Sequence, residues 1–192
     1  MTRLFALGLS ALLLALAAPA AHSKGGGDIP TSDYLRLLKA SKIIESYQKS
    51  AAVSAQVFSA RNQGSDKQFA RFMGVVATAD LSDVDGCMIN MYKTQNFSQQ
   101  DITYLISYFE SPLGVKVLAQ GLRVRIANIR TGRNDPLPQN IFTETEKHKL
   151  MEVTQNPSYQ KYGMMVSSRN WAVGLVNCIG HSAAVKKAGI VF

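Results

Sequence analysis

Residues 96–117, NFSQQDITYLISYFESPLGVKV, and residues 141–162, IFTETEKHKLMEVTQNPSYQKY, carry the same punctuation at the same spacing. In each, a Phe (Phe97, Phe142) precedes a hydroxyl residue (Ser98, Thr143) that has a carboxylate three positions on (Asp101, Glu146). This is the signature of a helix start: the hydroxyl accepts from the third helical N–H, the carboxylate reaches back to the cap, and the aromatic ring staples the incoming chain. Both segments then break at the same point, Ser111-Pro112 and Asn156-Pro157. Proline disfavours helical geometry in the residue before it, yet it is well suited to the first position of a new helix, where its missing N–H costs nothing. Ser111 and Asn156 are therefore read as N-caps, and each segment as two helices meeting at a corner without a loop. Gly114, lacking a side chain, lets the first turn after one corner approach its neighbour closely. Lys116 and Lys161 also recur, where a cation opposes the helix dipole; each is read as reaching a carboxylate or carbonyl across the corner. The second unit is eroded, since Ile102, Phe109 and Gly114 become Lys147, Thr154 and Tyr159, and it is expected to bury less.

Two such units are too few for a solenoid, so the chain reads as all-α: a compact multi-helix bundle containing an internal helix-corner-helix repeat. Elsewhere apolar residues recur at helical spacing and strand-like alternation does not persist. A helical region over 32–60 slips phase near Ser41 and divides there into two helices. RNQGSD is a turn, after which Phe69, Phe72, Met73 and Val76 mark another helix. Ser82 and Asp85 stand at capping-box spacing ahead of Val84, Cys87, Met88 and Met91. Beyond Pro112 a buried stripe of Val115, Leu118, Ala119, Leu122, Ile126 and Ile129 is expected, followed by RTGRNDPLPQN as a Pro-rich surface loop. After Pro157 a long helix is predicted to about Lys187, with Met164, Trp171, Leu175, Cys178 and Ile179 near one stripe. The bundle thus spans 31–188 as one domain, with 189–192 as a tail.

The chain begins MTRLFALGLSALLLALAAPAAHS: one cation, an apolar run from Leu4 to Ala18, then small residues around Pro19. That pattern is a secretory signal peptide over 1–20, cleaved after Ala20 or Ser23, and the run is too short to span a bilayer. Residues 21–30 then form a flexible leader. The expected mature protein is exported, periplasmic or secreted, and not membrane-spanning after cleavage. The whole chain has a net charge of +8. In an exported setting such a cation meets an anionic lipid surface or an envelope protein; no nucleic-acid partner is expected, because no stacking aromatics interleave with the basic residues.

The stretch NFSQQDITYLISYFESPLGVK resembles the signature of the exported bacterial family named domain of unknown function 2059. Phe97, Ser98, Asp101, Tyr108, Phe109, Ser111, Pro112, Gly114 and Lys116 stand at the matching positions, with Tyr-Phe in place of the expected Phe-Tyr and Asp in place of the commoner Glu. The resemblance is strong only over 96–117. It implies an exported helical protein and no particular activity.

No motif for metalloprotease, nucleophile elbow, phosphate loop or dinucleotide chemistry occurs in the chain. His148 shares a helical row with Glu144 and Glu152, which reads as a solvated charged face before it reads as a metal site. His181 follows Cys178 by three residues, and a helix-terminal histidine beside a structural cysteine outweighs a catalytic dyad. No catalytic, cofactor-binding or metal residue is assigned, and no cofactor is expected. Arg123, Arg130 and Arg133 cluster near a helix end, as cations complementing the dipole or as a contact for an anionic partner. Met73, Met88, Met91, Met151, Met164 and Met165 either fill core gaps or line an adaptable apolar pocket. Cys87 and Cys178 are the only two cysteines. In an exported chain such a pair favours a disulfide, both residues pointing into the core, over two buried thiols. Together these readings point to a non-catalytic interaction or accessory module of the cell envelope, with a carrier of small apolar or lipid molecules as the alternative.

Overall fold

The computed structural model of the chain describes residues 29–61 and 64–190; the segment expected to be a signal peptide and nearly all of the expected leader lie outside the described residues. The fold is all-α. Among the described residues ten helices follow one another: α1 Thr31–Ala40, α2 Ile43–Ala60, α3 Gly64–Thr78, α4 Asp85–Lys93, α5 Gln99–Glu110, α6 Pro112–Thr131, α7 Glu144–Gln155, α8 Pro157–Ser167, α9 Arg169–Gly180 and α10 Ala183–Lys187. Single 3-10 turns precede α4 and α7, and the described residues contain no strand.

The core is built where the helical stripes meet. Leu37, Val76, Met88, Tyr92, Ile102, Leu105, Ile179 and Val185 are wholly withdrawn from solvent, and they come from α1, α3, α4, α5, α9 and α10. Burying an aliphatic side chain of this size contributes roughly 1.5–3 kcal/mol. Helix α5 is the centre: Ile102, Leu105, Ile106 and Phe109 are all buried, as their spacing predicts. It touches α1, α6 and α8, while α4 packs against α1 and α9. Helices α2 and α3 form a hairpin, closed by the edge-to-face Phe58–Phe69 pair at 4.8 Å. Gln48 lies toward its open end and donates to the carbonyls of Val76 and Ala79.

The phase slip near Ser41 corresponds to a break. Ser41 is buried and its hydroxyl donates to the Leu38 carbonyl at 3.1 Å, and Lys42 takes a left-handed φ of 51° before α2 begins. Ile29, within the expected leader, packs against the core, and Pro30 is the residue before α1. At the other end Ile190 also packs on the core, inside the segment expected to be a tail.

Three expectations about elements are corrected. The long helix over 157–187 is three helices. Ser168 and Ser182 adopt extended geometry and cap α9 and α10, accepting from Trp171 N–H and Val185 N–H. Serine alone makes these corners, without the proline that flags the other two. The stripe assigned to α6 is not buried: Gly114 is the helix's one buried residue, and Val115 is 42% exposed. Helix α6 packs on α2 and α5, and that contact leaves its outer side open. Ser82 and Asp85 form no capping box. The Ser82 N–H is taken by the Asp80 carboxylate, and Ser82–Val84 is a 3-10 turn leading into α4.

Candidate functional site

The corners are built as local chemistry dictates. Ser98 accepts from Asp101 N–H while the Asp101 carboxylate takes the Ser98 N–H at 2.8 Å, and Thr143 and Glu146 do the same. At the first corner the Ser111 hydroxyl accepts from Gly114 N–H at 3.0 Å and donates to the Tyr108 carbonyl at 2.6 Å, so one side chain ties the end of α5 to the start of α6. The closeness depends on Gly114, because a Cβ there would lie 2.0 Å from the Tyr108 carbonyl oxygen. Asn156 caps the second corner by accepting from Ser158 N–H at 2.9 Å. Where Gly114 would fall, Tyr159 sets its ring edge against Tyr108 with centroids 5.2 Å apart. Helix α7 buries no residue, in keeping with its eroded stripe.

The two units are joined reciprocally. Lys116 of the first donates to both carboxylate oxygens of Glu146 at 2.9 and 2.8 Å and sits 5.3 Å from the Phe142 ring centre. Lys161 of the second donates to Asp101 at 3.2 Å and to the Asn96 carbonyl, and sits 5.0 Å from the Phe97 ring centre. Each lysine thus closes the other unit's capping box and covers the other unit's staple. The carboxylate and carbonyl expected for Lys116 and Lys161 belong to the opposite unit. The lysines escape the unfavourable end of their own helix dipole by pairing with an acid at the start of another. Ser158 adds a 2.6 Å bond to Asp101 that no sequence signal announced.

These contacts set the acids' titration. Partial burial opposes charge on Asp101, but the Ser158 hydroxyl, the Ser98 N–H and hydroxyl and Lys161 together hold its pKa below the ordinary value. Lys116, aided by the Thr143 N–H and against a small burial penalty, holds Glu146 low as well. The motif's caps, acids and lysines are thus engaged in holding helices together.

Cys87 and Cys178 are joined in a disulfide with Cα atoms 5.7 Å apart, linking α4 to α9. Cys178 is buried, but Cys87 lies on the exposed side of α4, which corrects the expectation that both point inward. With Cys178 oxidised there is no thiol for a dyad, and His181 instead sits exposed, its Nδ1 2.7 Å from the Asn177 carbonyl oxygen. His148 is exposed, and among the described residues no three His, Cys, Asp or Glu side chains converge as a metal would require.

Beside the disulfide an open groove of about 620 Å³ runs between the end of α4 and the α8–α9 corner, lined by Met91, Met164, Met165, Trp171, Lys161 and Asn170 among others. The Ser168 cap turns the chain here and seats Trp171, whose ring lies 5.0 Å from that of Tyr92. Behind Trp171, burial pushes the Tyr92 phenol up to about 12, with the Ser41 and Tyr162 hydroxyls pulling the other way. Met91 is held on one side by Gly174, where a Cβ would meet its Cε at 2.4 Å, and on the other by Cys178 Sγ at 3.6 Å from its Sδ. Met164 stands 60% exposed on the groove, whereas Met165 is buried. Of the methionines named from sequence, Met73 and Met88 are core, Met151 is exposed on α7, and the other three meet here.

Arg123, Arg130 and Arg133 are exposed. Among the described residues none of the three takes part in an ion pair. No helix among those residues is long and apolar enough to cross a membrane. Comparison with family models, with curated proteins and with solved structures found no match in any of the three.

Proposed function

We propose that the chain is an exported, non-catalytic interaction module of the bacterial cell envelope that receives apolar side chains of a partner protein in the methionine groove. The observation that carries this reading is Met164, a large thioether 60% exposed beside buried Met165 and Trp171. Flexible, polarisable methionines on an open surface adapt to varied partner side chains. Export is supported by the signal-type start and by the disulfide, which suits an oxidising compartment. The absence of chemistry rests on how the reactive groups are used: both cysteines are oxidised and the best-placed lysines and acids clamp helices together. Membership of the exported family that residues 96–117 resemble belongs to the same proposal, and the clamp gives its Phe, Ser, acid, Pro, Gly and Lys positions a physical role.

A photo-crosslinking residue at position 164, in cells exporting the protein, tests the groove. A discrete protein adduct at 164, weakened by Asn170→Asp beside it and missing from a crosslinker at exposed Lys187, is the expected result. The apolar lining also fits the second reading, a carrier of small apolar or lipid molecules. Native mass spectrometry of protein from its own compartment separates the two: bound lipid in most molecules, with no adduct at 164, would favour the carrier.

A further inference from the structure

We propose that the outward ridge of α6 is a docking surface for an anionic phospholipid bilayer. At 100° per residue, Val115, Ala119, Arg123 and Arg130 fall within an arc of about 80°, and all four are exposed. From Ser111 to Asn134 the chain contains no carboxylate. Of the nearby acids, Glu110 is taken by Arg36, Glu146 by Lys116 and Glu45 by Lys49; Asp135, beyond the C-terminal end of α6, is in none of the ion pairs among the described residues. Among the described residues six ion pairs engage six other cations, yet none engages Arg123, Arg130 or Arg133. The ridge is thus a local excess of positive charge flanked by small apolar side chains.

The occupant follows from that chemistry. A ridge offers no pocket, so a ligand that needs enclosure gains little from it, whereas a bilayer surface neutralises spaced cations without shape complementarity. Small apolar groups such as Val115 and Ala119 settle at the headgroup level beside the arginines. Stacking aromatics, which a nucleic-acid strand would use, are missing from the ridge. This inference deepens the interaction-module reading by naming what the module rests on, and depends on that reading only for the compartment in which lipid is met. The methionine groove plays no part in it.

Co-sedimentation of the mature chain with vesicles provides the test. The probes are phosphatidylcholine alone and phosphatidylcholine containing about a third phosphatidylglycerol, at low and raised salt. Wild-type protein should bind the anionic vesicles, release them as salt rises, and ignore the neutral ones. Arg123→Gln/Arg130→Gln should bind roughly tenfold to thirtyfold more weakly, from about 1 kcal/mol per basic residue at such a surface. Lys186→Gln/Lys187→Gln, which removes the same charge from exposed positions on α10, should stay within about threefold of wild type. Equal losses in the two double variants would mean that net charge alone is read, and would overturn the proposal. Failure of the wild type to bind anionic vesicles at low salt would also overturn it and leave an acidic protein as the ridge's partner. Neither result would alter crosslinking at position 164, so the two readings fail separately.

Discussion

A methyl group added at Gly114 would sit 2.0 Å from the Tyr108 carbonyl oxygen, whereas one added at Gly121, on the same helix, would meet nothing within 4 Å. The obstruction at Gly114 is backbone and cannot swing aside. Gly114→Ala should therefore destabilise the protein by at least about 1–3 kcal/mol, the cost of overpacking a site that cannot relax. Gly121→Ala should stabilise it by about 0.5–1 kcal/mol, because alanine loses less freedom in a helix interior. Denaturant melts of the two variants give opposite signs if the corner is as close as described. Ser111→Ala removes both the α6 cap and the bond to the Tyr108 carbonyl, and should cost about 1 kcal/mol or somewhat more; equal midpoints for wild type and variant would contradict this.

Between elements, the reciprocal clamp makes stability depend on acid. Asp101 and Glu146 both have folded pKa values below their ordinary values of 3.8 and 4.5. A carboxylate held low contributes stability that is complete above its ordinary value and is lost as pH falls through the folded one. Thermal midpoints should thus be flat near neutrality and drop below about pH 4.5. In Asp101→Asn/Glu146→Gln the midpoint should be lower at pH 7 and the acid slope shallower, with Glu45, Asp80 and Glu110, also held low, supplying what slope remains. An unchanged acid slope would remove the clamp from the explanation. The helices themselves were legible from local signals: both boxes, both proline corners and the α5 stripe follow from side-chain types at fixed spacings. The clamp's partners were not, because a pairing across 30 or 60 residues leaves no mark in a single sequence. Ser168 and Ser182 were missed because serine caps helices but also sits inside them, and no proline removes the ambiguity. The α6 stripe misled because apolar periodicity records which face prefers burial, not whether a neighbour covers it. The groove draws Met91 and Met164 together from helices far apart in sequence, and periodicity carries no such information either.

At the scale of the molecule, the disulfide ties α4 to α9 across a separation of 91 residues. Chain entropy for a loop of that length gives about 4–5 kcal/mol as an upper figure for its contribution. Cys87→Ser/Cys178→Ser should lower the thermal midpoint by several degrees, roughly 2–4 °C for each kcal/mol lost in a domain of this size. Titration of the unreduced, denatured wild type should find no free thiol. The bond also encloses the irregular segment 133–138 between α6 and the second unit, where Arg133 is exposed. A protease that cut once after Arg133 would sever the backbone without freeing either piece, since Cys87 lies on one side of the cut and Cys178 on the other. The nicked protein would travel as one band on a gel without reductant and as two bands with it. Wear at this exposed loop would therefore leave the two pieces covalently joined for as long as their surroundings stay oxidising.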